Sequence, residues 1–549
     1  MKYILSLFVF FLLAVSVIAQ NEQDQVIFKA MQDEMQRSKE QLMLPGMQAP
    51  YYLSYTLGRT HQFEIVASLG GVTNFFESPW TAVGGVQMFL GNYDHNNDIS
   101  YSCASVQAGM PENADYDVLR RGFWLGSDVM YKWSLQAAAM KDAYLKTNPK
   151  TPEELAVKDQ QKVDAITRIE EPKNPYTVDR AKLEKIVEEL SAIFKNYKDI
   201  YNSSVVITGQ EMEIYKATTD GVVLKEPLRY ASLVASAYVL TEDGVRIDDA
   251  YSVLVARPDD LPALDDLKKG VKAFAENLIK LKNAPVVSEY YAGPVLLEDG
   301  ACSSVFISNF LKRGALFAFR KPDTDRAPSM KTLDARLGMK IVDNRITIKN
   351  YTSLDKYNGV QLLGAYNIDA EGVIPAKEMT LVDKGIFKGM LNGCIPTLYA
   401  PQSTGSSRFL LSSNNGMFET APGTIHIEVE KGTKPEKMKS ALIKAAKEEG
   451  LKYGYIVRSL AGKASRIYRV DLDGNETQVR FGDVSGLSLV NLKRMLNISS
   501  KENVSNYVLG GQLLSSWIYP SSILIENVEI NKSDVKKDKG QVLTFPLQR

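Results

Sequence analysis

Two hydrophobic periods share this chain, and together they restrict its fold class. In YYLSYTLGRTHQFEIVASLGG and GGVQMFLGNYDHNND, within residues 51–110, apolar and polar residues alternate between glycine-rich turns, which is the period-two mark of half-buried strands. In RAKLEKIVEELSAIFKNYK, residues 180–198, Leu183, Ile186, Val187, Leu190 and Phe194 instead recur every three to four positions, the stripe of an amphipathic helix. Leu264, Leu267, Val271, Phe274, Leu278 and Leu281 repeat that spacing before Pro285. A sheet with one apolar face and helices with one apolar stripe cover each other, so the class is α+β.

Further elements follow from the same two periods. Val26, Met31, Met35 and Leu42 predict an opening helix that Pro45 and Pro50 end. Residues 115–145 return to helix through the alanine-rich LQAAAMKDAYL. The Lys/Glu/Pro-rich stretch 146–180 reads as a solvated connection with some helix, and strands follow over about 203–257. Residues 290–530 read as strands and hairpins, interrupted by short helices near 301–313 and 434–449. The expected plan is a helix-and-antiparallel-sheet region over 20–285, then a β-dominated domain over 286–549.

The start, MKYILSLFVFFLLAVSVIAQ, has a charge at Lys2, an apolar run from Ile4 to Val15 and a cleavage pattern at Val17-Ile18-Ala19. That is the layout of a signal peptide spanning 1–19, and the run is short for a bilayer span. Export to a periplasmic or extracellular compartment is expected, with no membrane attachment after cleavage. Lys plus Arg and Asp plus Glu are 65 each, leaving no net field to attract nucleic acid. Cys103, Cys302 and Cys394 are too few for a disulfide framework and read as small buried side chains. A bridge between two of them stays open.

Chemical motifs are sparse. His61, His95 and His426 are the only histidines and lie far apart, so no helix carries two zinc ligands one turn apart. Asp94, Asn96 and Asp98 alternate like the start of a calcium loop, but Ile99 takes the place of the required glycine and Ser105 that of the final glutamate. Asp471, Asp473 and Asn475 fail similarly, and both stretches read as turns. Ser353 and Lys356 fit S-x-x-K without its companion motifs. No G-x-S-x-G elbow, Walker loop or dinucleotide fingerprint occurs.

Four blocks carry a resemblance. YYAGPVLLEDGACSSVF (290–306), YTSLDKYNGVQ (351–361), LLGAYNIDAEGVIPAKEMTLVDKGIFKGMLN (362–392) and VLGGQLLSSWIYPSSILIENVEI (508–530) resemble, in order and spacing, the C-terminal domain of TldD/PmbA proteins. This is a metallopeptidase-related family once labelled modulators of DNA gyrase. The likeness is looser in the N-terminal half, around GGVQMFLGNYD and the 115–145 helix. In active members the helix after the first block carries His-Glu-x-x-x-His, and a Cys near the C-terminus completes a zinc site. Here those positions fall at Ser308, Asn309 and Arg313, with the Cys position at about Tyr507. All four are changed, and Lys312 and Arg313 would set positive charge where a dication would lie. The resemblance therefore implies no zinc cofactor and the PmbA/TldE-like side of the family. It implies a non-catalytic, peptide-binding subunit that partners a zinc-bearing TldD-type protease. Whether the chain is itself an enzyme stays open. One alternative is a hydrolase using Ser303, Ser304, Ser308 and Lys312 in the same cleft. Another is a structural or binding protein that pairs with itself through exposed strand edges.

Overall fold

The computed structural model describes residues 22–101, 106–110, 115–312, 316–324, 334–411 and 416–537. The proposed signal peptide, Cys103 and Arg313 lie outside these residues.

The architecture is α+β. An eight-stranded sheet occupies the N-terminal half, in the order 106–109, 81–90, 50–68, 200–218, 222–240, 166–169. Strand Gly71–Glu77 also pairs with Pro50–Ser68, and Arg246–Val255 with Val222–Leu240. Every ladder is antiparallel except that of Ile166–Ile169, which runs parallel to Val222–Leu240. That short strand lies in the stretch expected to be a solvated connection. Four residues show no usable period, and only a neighbouring strand edge selects the extended state.

Alternation on Pro50–Ser68 shows how the helices attach. Leu53, Tyr55 and Leu57 pack with helices Glu22–Gln41 and Tyr116–Thr147. Phe63, Ile65 and Ala67 pack with helices Arg180–Ala192 and Leu264–Asn283. All six positions are odd, so one face of one long strand receives all four helices. The helices begin and end close to where their periods placed them. In the first helix, however, the buried stripe runs through Ile27, Phe28, Met31 and Met35, and Val26 is only half-buried. The opposite face of the sheet, through Met212 and Ile214, packs on Ala370, Phe409, Leu411 and Leu514 from the C-terminal half.

The C-terminal half holds two larger sheets. One has six strands in the order 386–387, 378–383, 346–351, 424–429, 513–520, 502–509. The other is ordered 476–479, 466–471, 453–459, 291–298, 522–532, 482–485, with 495–498 also paired to 522–532. The chain passes from one to the other at Ser521, between Leu513–Pro520 and Ser522–Lys532. Their inner faces share one core, in which Val295, Leu297, Ile523 and Ile525 meet Ile346, Ile348, Ile425 and Trp517. Helix Met438–Glu448 covers the outer side of the second sheet through Met438 and Leu442. Within the stretch expected to hold strands and hairpins, MTLVDKGIFKGML forms a hairpin. Strand Glu378–Asp383 pairs with Ile386–Phe387, and Lys384 and Gly385 both take positive φ, as a two-residue turn of matching twist requires.

Candidate functional site

Helix Asp299–Ile307 is buried between the two C-terminal sheets. Ala301, Cys302, Val305, Phe306 and Ile307 are apolar on nearly every side, which suits a helix enclosed by protein. Asp299 turns the chain out of strand Tyr291–Glu298 with φ 46°. Cys302 donates from Sγ to the Pro520 carbonyl at 3.1 Å. The helix continues as one π turn over Ser308–Lys312, a local widening that recurs at functional sites. The helix expected near 301–313 is therefore present, and its last turn differs in type.

Two of the positions at which the resemblance sets the family's metal ligands and glutamate, Ser308 and Asn309, lie on this π turn. Ser308 is half-buried. Asn309 is fully buried and gives both Nδ2 hydrogens away, to the Val305 and Leu487 carbonyls, at 2.9 Å each. Its Oδ1 has no hydrogen-bond partner among the described residues. Tyr507 stands half-buried on strand Glu502–Leu509, and its hydroxyl meets Ser303 Oγ at 2.8 Å rather than Ser308 or Asn309. Ser303 also donates to the Gly300 carbonyl at 3.1 Å. A hydroxyl, an amide with its nitrogen already engaged and a phenol do not fit zinc, which takes thiolate, imidazole or carboxylate. Among the described residues Ser303 is engaged with a carbonyl and a phenol and with no base of the kind that activates a nucleophilic serine; the side chain of Lys312 lies outside them.

The other residues singled out lie apart from this turn. Each histidine faces a carboxylate of its own: His61 with Glu77 at 3.1 Å, His95 with Asp159 at 3.6 Å, His426 with Glu502 at 2.8 Å. Asn96 and Asp98 spend Oδ1 on backbone amides of Asp98, Ser100 and Tyr101, while Asp94 pairs with Lys158. Asp473 likewise accepts from Asn475. Both calcium-like stretches are turns. Ser353 and Lys356 are exposed. Cys302 and Cys394 are buried and unbridged.

A concentration of buried charge that no motif announced lies at the junction of the two halves. Lys141, on helix Tyr116–Thr147, donates to Asp159 at 2.6 Å and to the Asn96 carbonyl at 2.9 Å. Arg320 reaches Asp159 at 2.6 Å, and Lys150 reaches Asp323 at 2.8 Å. Tyr101 stands at the centre. Its hydroxyl accepts from Arg320 and Lys150 and contacts Asp323, while its ring lies 4.0 Å from the Arg320 guanidinium. Tyr101 does this with φ 52°, a strained backbone for a bulky residue. Burial pushes the Lys141 ammonium down, against the pull of Asp159. Burial would raise Asp159, but Lys141 and Arg320 outweigh it and hold the carboxyl below its usual range. Beside this network opens a cleft of about 460 Å³. The sequence carried no sign of it, because its members are separated by up to 222 residues.

A second feature is on the outside of helix Tyr116–Thr147. Val118, Leu125, Val129, Trp133 and Met140 are all exposed, and their spacing puts them on one side of the helix. Trp124 is exposed on the other flank of the helix, half a turn round from Trp133, and Met43, Leu44 and Met47 are exposed in a loop tied to this helix by Leu44 N to Tyr131 Oη at 3.2 Å. Scattered apolar residues are ordinary on a surface, whereas an aligned stripe marks a surface that something covers.

No protein-family model matches the sequence, and no curated protein matches it. Solved structures do. A protein from Thermotoga maritima described as a modulator of a DNA gyrase aligns over 92% of this chain and 100% of its own, with TM-score 0.57 and 13% identity. TldE from Thermococcus kodakarensis aligns over 91% and 99%, with TM-score 0.54 and 15% identity. A protein from Bacteroides thetaiotaomicron described as a modulator of DNA gyrase aligns over 93% and 99%, with TM-score 0.57 and 13% identity. At these identities the likeness is one of fold. Across nearly its whole length, this chain has the fold of TldE and of the gyrase-modulator structures.

Proposed function

We propose that this chain is a TldD/PmbA-family protein of the PmbA/TldE-like kind: an exported, non-catalytic subunit that binds peptide and supports a zinc-bearing TldD-type protease. The observation that carries this reading is the donor set on the π turn. Asn309, at the position of the catalytic glutamate, has its Nδ2 locked between two backbone carbonyls. Tyr507, at the position of the cysteine ligand, is occupied with Ser303. The likeness in fold to a protein named TldE supports the same side of the family. Division into an N-terminal region over 20–285 and a C-terminal domain over 286–549 belongs to the proposal, as does removal of residues 1–19. The exposed stripe on helix Tyr116–Thr147 supports association, since Trp133 and several aliphatic residues on one side of the helix favour a partner over water.

The test is metal analysis and light scattering on the secreted protein, alone and mixed with an exported homologue bearing an intact His-Glu-x-x-x-His. The expected result is no zinc on this chain alone and a one-to-one complex with the homologue. Stoichiometric zinc on the isolated chain would overturn the reading, as would separate elution of the two proteins. A stable dimer of this chain alone, indifferent to the homologue, would favour a self-pairing binding protein.

A further inference from the structure

We infer that the cleft beside Tyr101 binds the carboxylate of a ligand whose adjoining side chain is apolar, as the free C-terminus of a peptide is. This deepens the peptide-binding part of the proposed function and rests on that part alone. Association with a zinc protease is not needed for it.

The cleft wall carries three cations, Lys150, Arg320 and Lys321, against two carboxylates, Asp323 and Glu154. Both carboxylates are already engaged. Asp323 receives Lys150 and Tyr101, and Glu154 turns back onto the Thr151 amide at 2.9 Å in a capping box. The cations retain capacity. Lys150 uses two of its three hydrogens, on Asp323 and the Tyr101 hydroxyl. Lys321 is exposed and pairs with no carboxylate among the described residues. Behind the wall Lys141 and Asp159 satisfy each other. Asp98 faces the amides of Ser100 and Tyr101, and His95 faces Asp159 and Asp142. Spare donors with engaged acceptors select an anionic acceptor, and one excess charge at the wall suits a monoanion better than a phosphate dianion.

The rest of the cleft selects the neighbouring group. Tyr144, Phe319, Leu398 and Tyr399 contribute apolar surface, and Leu398 and Tyr399 are exposed at its mouth. Its volume of about 460 Å³ falls within the ~300–1,000 Å³ of small-ligand pockets. The strained Tyr101 supplies the reason for the construction. Its hydroxyl fixes both Lys150 and Arg320, so the cationic wall is organised before a ligand arrives.

The experiment is calorimetric titration of the full chain with N-acetyl-Ala-Ala-Phe and with its C-terminal amide. The acid should bind at least tenfold more tightly, and Lys150→Gln should remove most of that preference. Lys321→Gln, a change at an exposed position, should reduce it and serves as the second variant if Lys150→Gln does not fold. Equal affinity for acid and amide, no acid binding at millimolar concentration, or a preference untouched by both variants would overturn the assignment. Those outcomes leave zinc content and complex formation unaffected, so the failure of this site is distinguishable from the failure of the proposed partnership.

Discussion

Lys141→Met gives a direct measure of how much the buried charge network ties helix Tyr116–Thr147 to the segments that carry Asn96 and Asp159. The ammonium is 1% exposed and its partner carboxylate 3%. Removing it leaves Asp159 with Arg320 and Tyr101, and strips the Asn96 carbonyl of its donor at 2.9 Å. Breaking a buried pair from one side costs about 3–5 kcal/mol, and the surviving Arg320 contact places this case near the lower end. About 3 kcal/mol corresponds to roughly 150-fold in an opening equilibrium. Hydrogen exchange resolves such local opening. Amides of the Lys141 turn and of residues 92–101 should therefore exchange roughly 150-fold faster in the variant. Lys132→Met is the control. Lys132 is exposed and meets Asp128 one turn away, a pair worth about 0.5 kcal/mol or less. Acceleration below about tenfold at Lys141, or equal to that of the control, would refute the claim that this network is a buried structural tie. The pH dependence has a definite sign. Asp159 is held below its ordinary pKa in the folded protein, so its contribution is present above the unfolded value and is lost as pH falls through the folded one.

Four other outcomes are expected. Asp369, fully buried beside Glu371, is pushed up to about 7 by burial first and by that neighbour second. Folding therefore takes up a proton between about pH 4 and 7, and stability falls as pH rises through that window, by as much as ~4 kcal/mol; Asp369→Asn should flatten the difference between melting at pH 5 and pH 8, and an unchanged difference would contradict this. Tyr507→Phe loses only the hydrogen bond to Ser303, so melting should register about 0.5–1.5 kcal/mol with no change in metal content. Asn309→Leu removes the side-chain donor to the Val305 and Leu487 carbonyls, which should cost about 1–3 kcal/mol in chemical denaturation; a neutral result would mean that the amide is not a structural clamp. Trp133→Glu puts a charge into the exposed stripe and should weaken complex formation in light scattering while leaving the melting temperature nearly unchanged.

The contrast between legible and hidden features follows residue by residue. Leu183, Ile186, Val187, Leu190 and Phe194 are all buried, because a helix packed along one side writes its contact into the period of its own sequence. The Lys384-Gly385 turn is equally local. Strand Ile166–Ile169 was hidden, since its extended state depends on the edge of Val222–Leu240. The π turn at Ser308–Lys312 was hidden for a related reason: composition around it reads as ordinary helix, and the extra residue per turn answers to packing between two sheets. The resemblance pointed to Ser308, Asn309 and Tyr507, but no motif announced the pairing of Tyr507 with Ser303, which the fold brings about.

Read alone, the sequence determined the α+β class, the helices with a clean period and the spread of three histidines that keeps any two off one helix turn. Each of these depends on residues close together along the chain. Tertiary structure decided the rest: which strands meet, where Asn309 sends its amide, and that Tyr101, Lys141, Lys150, Asp159, Arg320 and Asp323 converge beside one cleft. Charges so far apart in sequence have no period to reveal them. They become partners only once folding removes the water that would otherwise screen them.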